Sequence, residues 1–132
     1  MEEPVNISID LKLATPAYRQ IVDAMRVRLV EEDLKPGQML PTVRRLAMEL
    51  SVHFNTVAQA YRELAEEGWI ELKHGRGAMV IARRAPRPAE NAENSKIFSE
   101  RLRELVAQMR ASGMDALHIA MELRSLAQAL ER

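Results

Sequence analysis

Residues 41–81 read PTVRRLAMELSVHFNTVAQAYRELAEEGWIELKHGRGAMVI, and this stretch decides the fold. Pro41-Thr42 is a typical helix start, with the Thr42 hydroxyl as the cap. The turn Ser51-Val52-His53 separates this helix from a second one, and Gly68 is a typical glycine just past a helix end. Each helix has an apolar stripe at helical spacing. The stripes consist of Val43, Leu46, Ala47 and Leu50 in the first helix and of Val57, Ala60, Tyr61 and Leu64 in the second.

A β-hairpin is predicted after the two helices. Trp69–Lys73 and Ala78–Ile81 are the two strands, and they flank the glycine-bearing loop His74–Gly77. Helix, turn, helix and hairpin in this order are typical of a winged helix–turn–helix, in which the second helix of the pair enters the major groove of DNA. The sequence therefore predicts an α+β fold that is mainly helical.

The chain before this stretch predicts one strand and one more helix. Val5–Leu11 alternates apolar and polar residues, as a strand with one buried face does. Thr15 and Pro16 indicate the start of a helix, with Thr15 as the cap and Pro16 in the first turn. This helix is expected to end near Glu32, before Lys35-Pro36-Gly37.

Beyond the winged domain, placed at residues 1–83, residues 84–94 are predicted to be a linker because they contain two prolines and no aliphatic stripe. Two amphipathic helices, each of about 16 residues and so about 24 Å long, are expected within residues 95–132. They cannot bury their stripes alone, so either the winged domain or a second copy must cover them. A second copy, which we expect, would make a small helical bundle and hence a dimer. The expected dimerisation residues are Phe98, Leu102, Leu105, Met109, Ile119, Leu123, Leu126 and Leu130.

The composition excludes several classes of protein. The 132 residues carry 19 Lys and Arg against 19 Asp and Glu, so a uniformly basic surface is excluded but a local one is not. Because there is no cysteine, disulfide scaffolds, thiolate metal sites and cysteine nucleophiles are excluded. The longest wholly apolar run is Ala78–Ala82, far below the roughly 20 residues that span a bilayer, and the acidic N-terminus does not resemble a secretory signal. We expect a cytoplasmic protein with no membrane partner.

Several blocks of the sequence, in register over about residues 7–82, resemble the GntR family of bacterial transcription regulators. The short helical tail and the first block are similar to the YtrA subfamily, and this resemblance implies a C-terminal region of two helices used for dimerisation. The blocks are Pro16-Ala17-Tyr18-x-Gln20-Ile21, Leu34-Lys35-Pro36-Gly37-x-x-Leu40-Pro41-Thr42-Val43-Arg44-x-Leu46-Ala47, Asn55-Thr56-Val57-x-x-Ala60-Tyr61-x-x-Leu64, Glu67-Gly68-Trp69-Ile70 and Gly75-Arg76-Gly77.

The sequence departs from the family pattern in three places. Thr42 replaces the usual Ser at the cap of the second helix and can still cap it. His53-Phe54 replaces the usual Ser-Arg, so one arginine that the family pattern would place on DNA is missing. Ala78 replaces the usual Thr after Gly-x-Gly, which removes a hydroxyl from the hairpin.

Cations and hydrogen-bonding side chains near the helix pair are the candidates for DNA contacts. Residues 41–87 carry a local net charge of +3, although the whole chain is neutral. The resemblance implies that Arg44 contacts DNA; an ion pair with Glu49 or Glu63 is its alternative role. Arg45 is either a further contact or a solvated residue.

The first turn of the second helix of the pair is the predicted element for reading bases, since residues at this helix start reach the base edges. Asn55 can pair with adenine through two hydrogen bonds, and Phe54 can contact a thymine methyl group. Helix capping is the alternative role for His53 or Asn55, and core packing is the alternative for Phe54. The candidates on this helix are His53, Phe54, Asn55, Thr56, Gln59 and Arg62.

The hairpin loop is a second candidate contact. His74, Gly75 and Arg76 form the predicted tip of the wing, where glycine lets the backbone approach DNA and Arg76 can enter the minor groove or contact a phosphate. A strand rather than a helix follows Gly-x-Gly, so a nucleotide-binding loop is not expected here.

The sequence as a whole predicts a DNA-binding regulator of transcription, and the resemblance implies a dimeric repressor at an inverted-repeat operator. A winged-helix adaptor that binds another protein is the alternative. No nucleophile–base pair or metal cluster is evident, so we expect neither an enzyme nor a cofactor. His118 and Glu122 lie four residues apart, as two metal ligands on a helix would, but a solvated helix face is the simpler interpretation. The tail is too short to enclose a metabolite pocket, so any small-molecule effector, whose identity is unknown, would bind between copies or between tail and winged domain.

Overall fold

The computed structural model describes residues 5–74, 77–83 and 91–131. The chain divides into two compact units, Met1–Arg84 and Ala85–Arg132. Within the described residues, no helix combines the length and the apolar character needed to cross a lipid bilayer.

Three helices form most of the first unit. They are α1 (Ala17–Val30), α2 (Val43–Leu50) and α3 (Phe54–Glu66). Thr42 caps α2 as predicted, because its Oγ1 accepts a hydrogen bond from the backbone N–H of Arg45 at 3.2 Å. Pro16, and not Thr15, occupies the N-cap position of α1, and no side chain caps that helix. Gly68, at a φ of 86°, makes the left-handed turn that follows α3.

A small antiparallel sheet completes the winged helix–turn–helix. Its strands are β1 (Met39–Leu40), β2 (Ile70–Lys73) and β3 (Gly77–Val80), in the spatial order β1-β3-β2. Ala78 in β3 lies opposite Leu40 on one side and Leu72 on the other. The two strands of the predicted hairpin are confirmed within a residue or two, but β1 was not predicted because two residues are too few to show an alternating pattern.

The core of the first unit is formed by the three helices and the sheet. The largest of the fully buried side chains are Tyr61, Ile21, Met25, Leu40, Leu46, Leu64, Ile70, Val22 and Val57. Both apolar stripes predicted for α2 and α3 contribute to it, which shows that helical spacing identified the buried faces correctly.

The strand predicted at Val5–Leu11 is wrong. These residues are in no strand, and Asn6 has a left-handed φ of 46°. Val5 is buried and Ile7 packs against the same core, half-buried. The alternation therefore reflects packing of Val5, Ile7 and Ile9 against the core rather than pairing in a sheet, and Leu11 is 64% exposed.

Two ion pairs join α1 to α3 and to the residue just after it. Arg26 Nε donates to Glu67 Oε1 at 3.1 Å, and its Nη2 donates to Glu67 Oε2 at 2.7 Å. These hydrogen bonds from Arg26 lower the pKa of the Glu67 carboxyl below its ordinary value. Arg19 Nη2 donates to Glu63 Oε1 at 2.9 Å. Because the arginine of each ion pair belongs to α1, the two contacts fix how α3 lies against α1.

The second unit contains α4 (Asn91–Ala111) and α5 (Ala116–Leu130). The prediction of a linker over residues 84–94 is wrong for 91–94, which belong to α4; residues 84–90 lie outside the described part of the chain. Glu93 lies in the first turn of α4, where a negative charge is favourable near the helix N-terminus. The described side chains at the start of α4 are exposed, so this part of the helix has no apolar stripe. The periodicity of the sequence could therefore not show that the helix begins here.

Candidate nucleic-acid interface

A histidine caps the start of α3. His53 occupies the N-cap position, and its Nδ1 accepts a hydrogen bond from the backbone N–H of Asn55 at 3.1 Å. The backbone N–H of half-buried Thr56 donates to the carbonyl oxygen of His53 at 3.0 Å. The cap is therefore His53, and the exposed side chain of Asn55 is left for other contacts.

Phe54 does not pack in the core, which was the alternative considered from the sequence. Its side chain is 51% exposed. Its ring stacks on the ring of His53, with the centroids 4.6 Å apart and the planes at 27°. Because His53 is itself held by the cap hydrogen bond, the two rings form a fixed apolar projection at the start of α3.

One face of α3 carries the remaining candidates. Asn55, Gln59 and Arg62 follow one another at steps of four and three residues, so they lie along the same side of the helix. All three are exposed, and this side is opposite to the buried one. Glu66, also exposed, continues the same row, so the row ends with a negative charge. Phosphates would be repelled there, which places the region suited to DNA in the first two turns of α3.

The start of α2 carries further candidate cations. Arg44 and Arg62 are exposed, and neither forms an ion pair with another residue in the described part of the chain. Arg45 Nε instead donates to Glu49 Oε1 at 3.2 Å, the kind of exposed pair that contributes little stability. Arg44 is thus the arginine of α2 that is better suited to contact a phosphate.

A shallow depression of about 450 Å³ lies between the start of α2 and the sheet. Its lining residues are Thr42, Val43, Arg44, Leu72, Lys73 and Gly77. Gly77 has a φ of 82°, and a Cβ placed on it would lie 3.3 Å from the carbonyl oxygen of Leu40. The glycine therefore lets β3 approach the chain close to the start of α2. Ala78, which replaces the usual Thr of the family pattern, is buried in the core.

The tip of the wing is only partly described. His74 follows β2 and is exposed, whereas Gly75 and Arg76 lie outside the described residues. The contacts expected of Gly75 and Arg76 stay predictions. Lys73, just before the tip, pairs with Glu71 at 3.2 Å.

The second unit has many exposed apolar side chains. Phe98 is 66% exposed and Leu130 is 58% exposed, whereas Ile119 is already buried within the single chain. Ile119 is therefore less available to a partner than the sequence suggested. The remaining expected interface residues are exposed or half-buried, namely Leu102, Leu105, Met109, Leu123, Leu126. His118 Nε2 lies 3.9 Å from Glu122 Oε1, and the described residues contain no group of three that could hold a metal ion.

Two residues with a bearing on this interface were not singled out from the sequence. Glu66 could have been found by extending the spacing of Asn55, Gln59 and Arg62 by one further turn. Tyr61 Oη donates to the carbonyl oxygen of Pro41 at 2.7 Å and so ties α3 to the start of α2. No sequence pattern identified that contact, because it joins positions twenty residues apart.

Comparisons with known proteins identify the family. Residues 17–80 match the family described as bacterial regulatory proteins, gntR family. The HTH-type transcriptional repressor YtrA of Bacillus subtilis (strain 168) is 34% identical over 115 residues, which cover 83% of this chain and 82% of YtrA. The chain belongs to the GntR family. It is a YtrA-like, DNA-binding regulator of transcription.

Solved structures agree with this assignment. YtrA from Sulfolobus acidocaldarius, described as a GntR-family transcription factor, has 32% identity and a TM-score of 0.55, covering 80% of this chain and 97% of its own. A transcriptional antiterminator from Listeria monocytogenes EGD-e shares the fold, with a TM-score of 0.64 at 24% identity over 94% of this chain and 92% of its own. These likenesses confirm the predicted YtrA-like family and the winged, mainly helical α+β fold.

Proposed function

We propose that this GntR-family protein is a dimeric repressor that occupies an inverted-repeat operator in the cytoplasm. The exposed first turn of α3 carries the proposal. His53 caps the helix, so the side chain of Asn55 is not used for that purpose and its amide can both donate to and accept from an adenine edge. A surface built only for packing would not need an amide, two cations and an aromatic ring exposed on α2 and α3.

Charge at this surface supports contact with the DNA backbone. Arg44 and Arg62 are exposed and have no carboxylate partner in the described part of the chain. Two carboxylates of the same unit, Glu63 and Glu67, are held instead by arginines of α1, at 2.9 Å and 2.7 Å. Arg44 and Arg62 can therefore neutralise phosphates, each of which releases condensed counterions when it is contacted.

A second copy is the proposed cover for the apolar residues of α4 and α5. Phe98 and Leu130 are more than half exposed, and Leu105 and Leu126 are exposed as well. Burial of such side chains contributes roughly 25 cal/mol per Å² of apolar area, so a bundle of four helices from two chains is favoured over solvated ones. A two-fold symmetric dimer would present two winged units to two half-sites, separated by about 10 base pairs or a multiple of that.

Repression follows from occupancy, because a dimer bound across a promoter excludes the polymerase. The similarity to a relative named a repressor, over most of both chains, supports this direction of control.

Selection of binding sites from a pool of random duplexes tests the proposal, with the full chain as the binding protein. We expect enrichment of two half-sites related by a dyad, and transcription from a promoter that contains them should fall when the protein is added. Enrichment of a single half-site, or of no sequence at all, would contradict the proposal.

Sedimentation tests the dimer separately. The double variant Leu105→Glu with Leu126→Glu places charges on the proposed interface, and we expect it to be a monomer. The matched control is Ala107→Glu with Gln128→Glu, which adds the same charges at exposed positions of the same two helices. The control should remain dimeric; a double variant that also remains dimeric would refute the assignment of the interface.

A further inference from the structure

The stacked rings of His53 and Phe54 lie where the proposed readout begins, and the core does not account for them. Phe54 is absent from the buried cluster and is 51% exposed, although it is an aromatic side chain at the first position of a helix. An exposed aromatic ring offers a large apolar area to a binding partner. Phe54 is therefore available to an apolar group of whatever α3 contacts.

Two contacts orient the rings. The backbone N–H of Asn55 donates to His53 Nδ1 at 3.1 Å, which orients the imidazole, and the Phe54 ring stacks on that imidazole at 4.6 Å between centroids. A ring held in this way loses little conformational freedom on binding, so most of the gain from burial would appear as affinity.

In the major groove, the 5-methyl group of thymine is the apolar group that a base edge presents. Phe54 precedes Asn55 directly, and α3 offers its other exposed groups, Gln59 and Arg62, as polar partners. The apolar projection and the amide of Asn55 are thus adjacent. In DNA, a thymine methyl group and the hydrogen-bonding edge of the neighbouring base pair are adjacent in the same way.

We propose that the His53–Phe54 pair makes this protein a reader of 5-methylpyrimidines, with Phe54 as the residue that determines the specificity. The inference rests on the proposed function, since it requires α3 to lie in the major groove. The shared chemistry is the methyl group at C5 of a pyrimidine, which thymine carries and which 5-methylcytosine also carries. Methylation of cytosine at that position therefore strengthens binding, whereas loss of the methyl group from thymine weakens it.

Replacement of thymine by uracil tests the proposal, because it removes the methyl group and retains every hydrogen-bonding group. The probe is the duplex enriched by the full chain from random DNA, with each thymine replaced in turn. Burial of one methyl group corresponds to about 0.8 kcal/mol. At one thymine position of the half-site, we therefore expect about fourfold weaker binding when the thymine of one half-site is replaced. When the thymines of both half-sites are replaced, binding should be about sixteenfold weaker. The salt dependence should not change, because no phosphate contact is lost.

Variants of Phe54 supply the control for the protein. Phe54→Ala should bind the thymine and uracil duplexes equally, and Phe54→Leu should keep part of the difference. Thermal unfolding of both variants should match the unaltered chain, because the side chain is exposed. A uracil effect that persists in Phe54→Ala would overturn the assignment to this residue.

Cytosine and 5-methylcytosine, placed at the same position, form the second arm. We expect the methylated duplex to bind about fourfold more tightly than the unmethylated one, and Phe54→Ala to abolish the difference. A protein that binds uracil and thymine duplexes equally, or that ignores cytosine methylation, overturns the inference while leaving sequence-specific binding intact. Failure to enrich any sequence overturns the proposed function and the inference together.

Discussion

Substitution of Asn55 by Ala should remove discrimination at one adenine position and leave the fold unchanged. In the structure, only the backbone N–H of Asn55 serves the cap, and alanine keeps that N–H. Because alanine also has the higher helix propensity, the free energy of unfolding should stay constant or rise by about 0.5 kcal/mol. Loss of a two-point contact to adenine should cost about 1–3 kcal/mol per half-site, which is roughly 5- to 150-fold in affinity.

His53→Ala is the matched variant, since it removes the cap acceptor and leaves Asn55 in place. Loss of a cap costs about 1 kcal/mol, which lowers the melting temperature of a domain this size by about 4–8 °C. The stack with Phe54 is lost at the same time. The two variants should therefore separate: Asn55→Ala removes discrimination at an adenine and keeps stability, whereas His53→Ala lowers stability and keeps discrimination at that adenine.

The assay measures thermal unfolding and binding to a series of single-base substitutions of the selected operator, for both variants and the unaltered chain. In the Asn55→Ala variant, affinity should become insensitive to one adenine position while non-specific binding stays constant. The reasoning is refuted if Asn55→Ala melts as early as His53→Ala and still discriminates at every operator position.

Three further predictions concern the structure that supports this surface. Arg44→Ala should weaken binding to all sequences and reduce the slope of log K against log salt by about 0.9 per chain and about 1.8 per dimer, and an unchanged slope would remove Arg44 from the interface. Tyr61→Phe should lower the free energy of unfolding by about 1–2 kcal/mol in urea titrations, because the buried carbonyl of Pro41 loses its donor at 2.7 Å; an unchanged midpoint would contradict this. The pKa of Glu67 is lowered beside Arg26, so the stability that this ion pair contributes is present at neutral pH and is lost as the pH falls through the lowered pKa. Glu67→Gln should therefore be less stable than the unaltered chain at neutral pH and should lose less stability in acid. Equal profiles of stability against pH for the two proteins would count against the pair.

The sequence predicted the helical part of the winged unit well because local signals decide it. Helical spacing gave the buried faces of α2 and α3, the Thr42 hydroxyl marked the start of α2, and Gly68 marked the end of α3. Each of these signals involves residues a few positions apart.

Features set by distant residues were not accessible in this way. Val5–Leu11 alternates like a strand, but no neighbouring strand pairs with it in the structure. Strand β1 owes its existence to pairing with β3, roughly forty residues away, through Met39 opposite Met79. Local composition does not indicate which distant residues will pair.

The candidate site likewise has features that the sequence predicted and features that only the structure shows. The positions of Asn55, Gln59 and Arg62 on one face followed from spacing alone. Which residue caps α3 did not, because both His53 and Asn55 carry an acceptor and only the geometry shows the hydrogen bond to His53 Nδ1. The exposure of Phe54 also required the structure, since its apolar character equally favoured the core.

Site-directed cleavage of operator DNA tests the central claim most directly, namely that α3 lies in the major groove. The chain has no cysteine, so Gln59→Cys creates a unique attachment point for an iron chelate on the exposed face of α3. Asp23→Cys is the control, because exposed Asp23 pairs with Arg26, whose other partner, Glu67, lies at the end of α3 opposite to its first turn. The account predicts strand cleavage by the Gln59→Cys conjugate within both half-sites, symmetric about the dyad, and none by the control. Retained binding with no cleavage from Gln59→Cys, or equal cleavage from both conjugates, would contradict it.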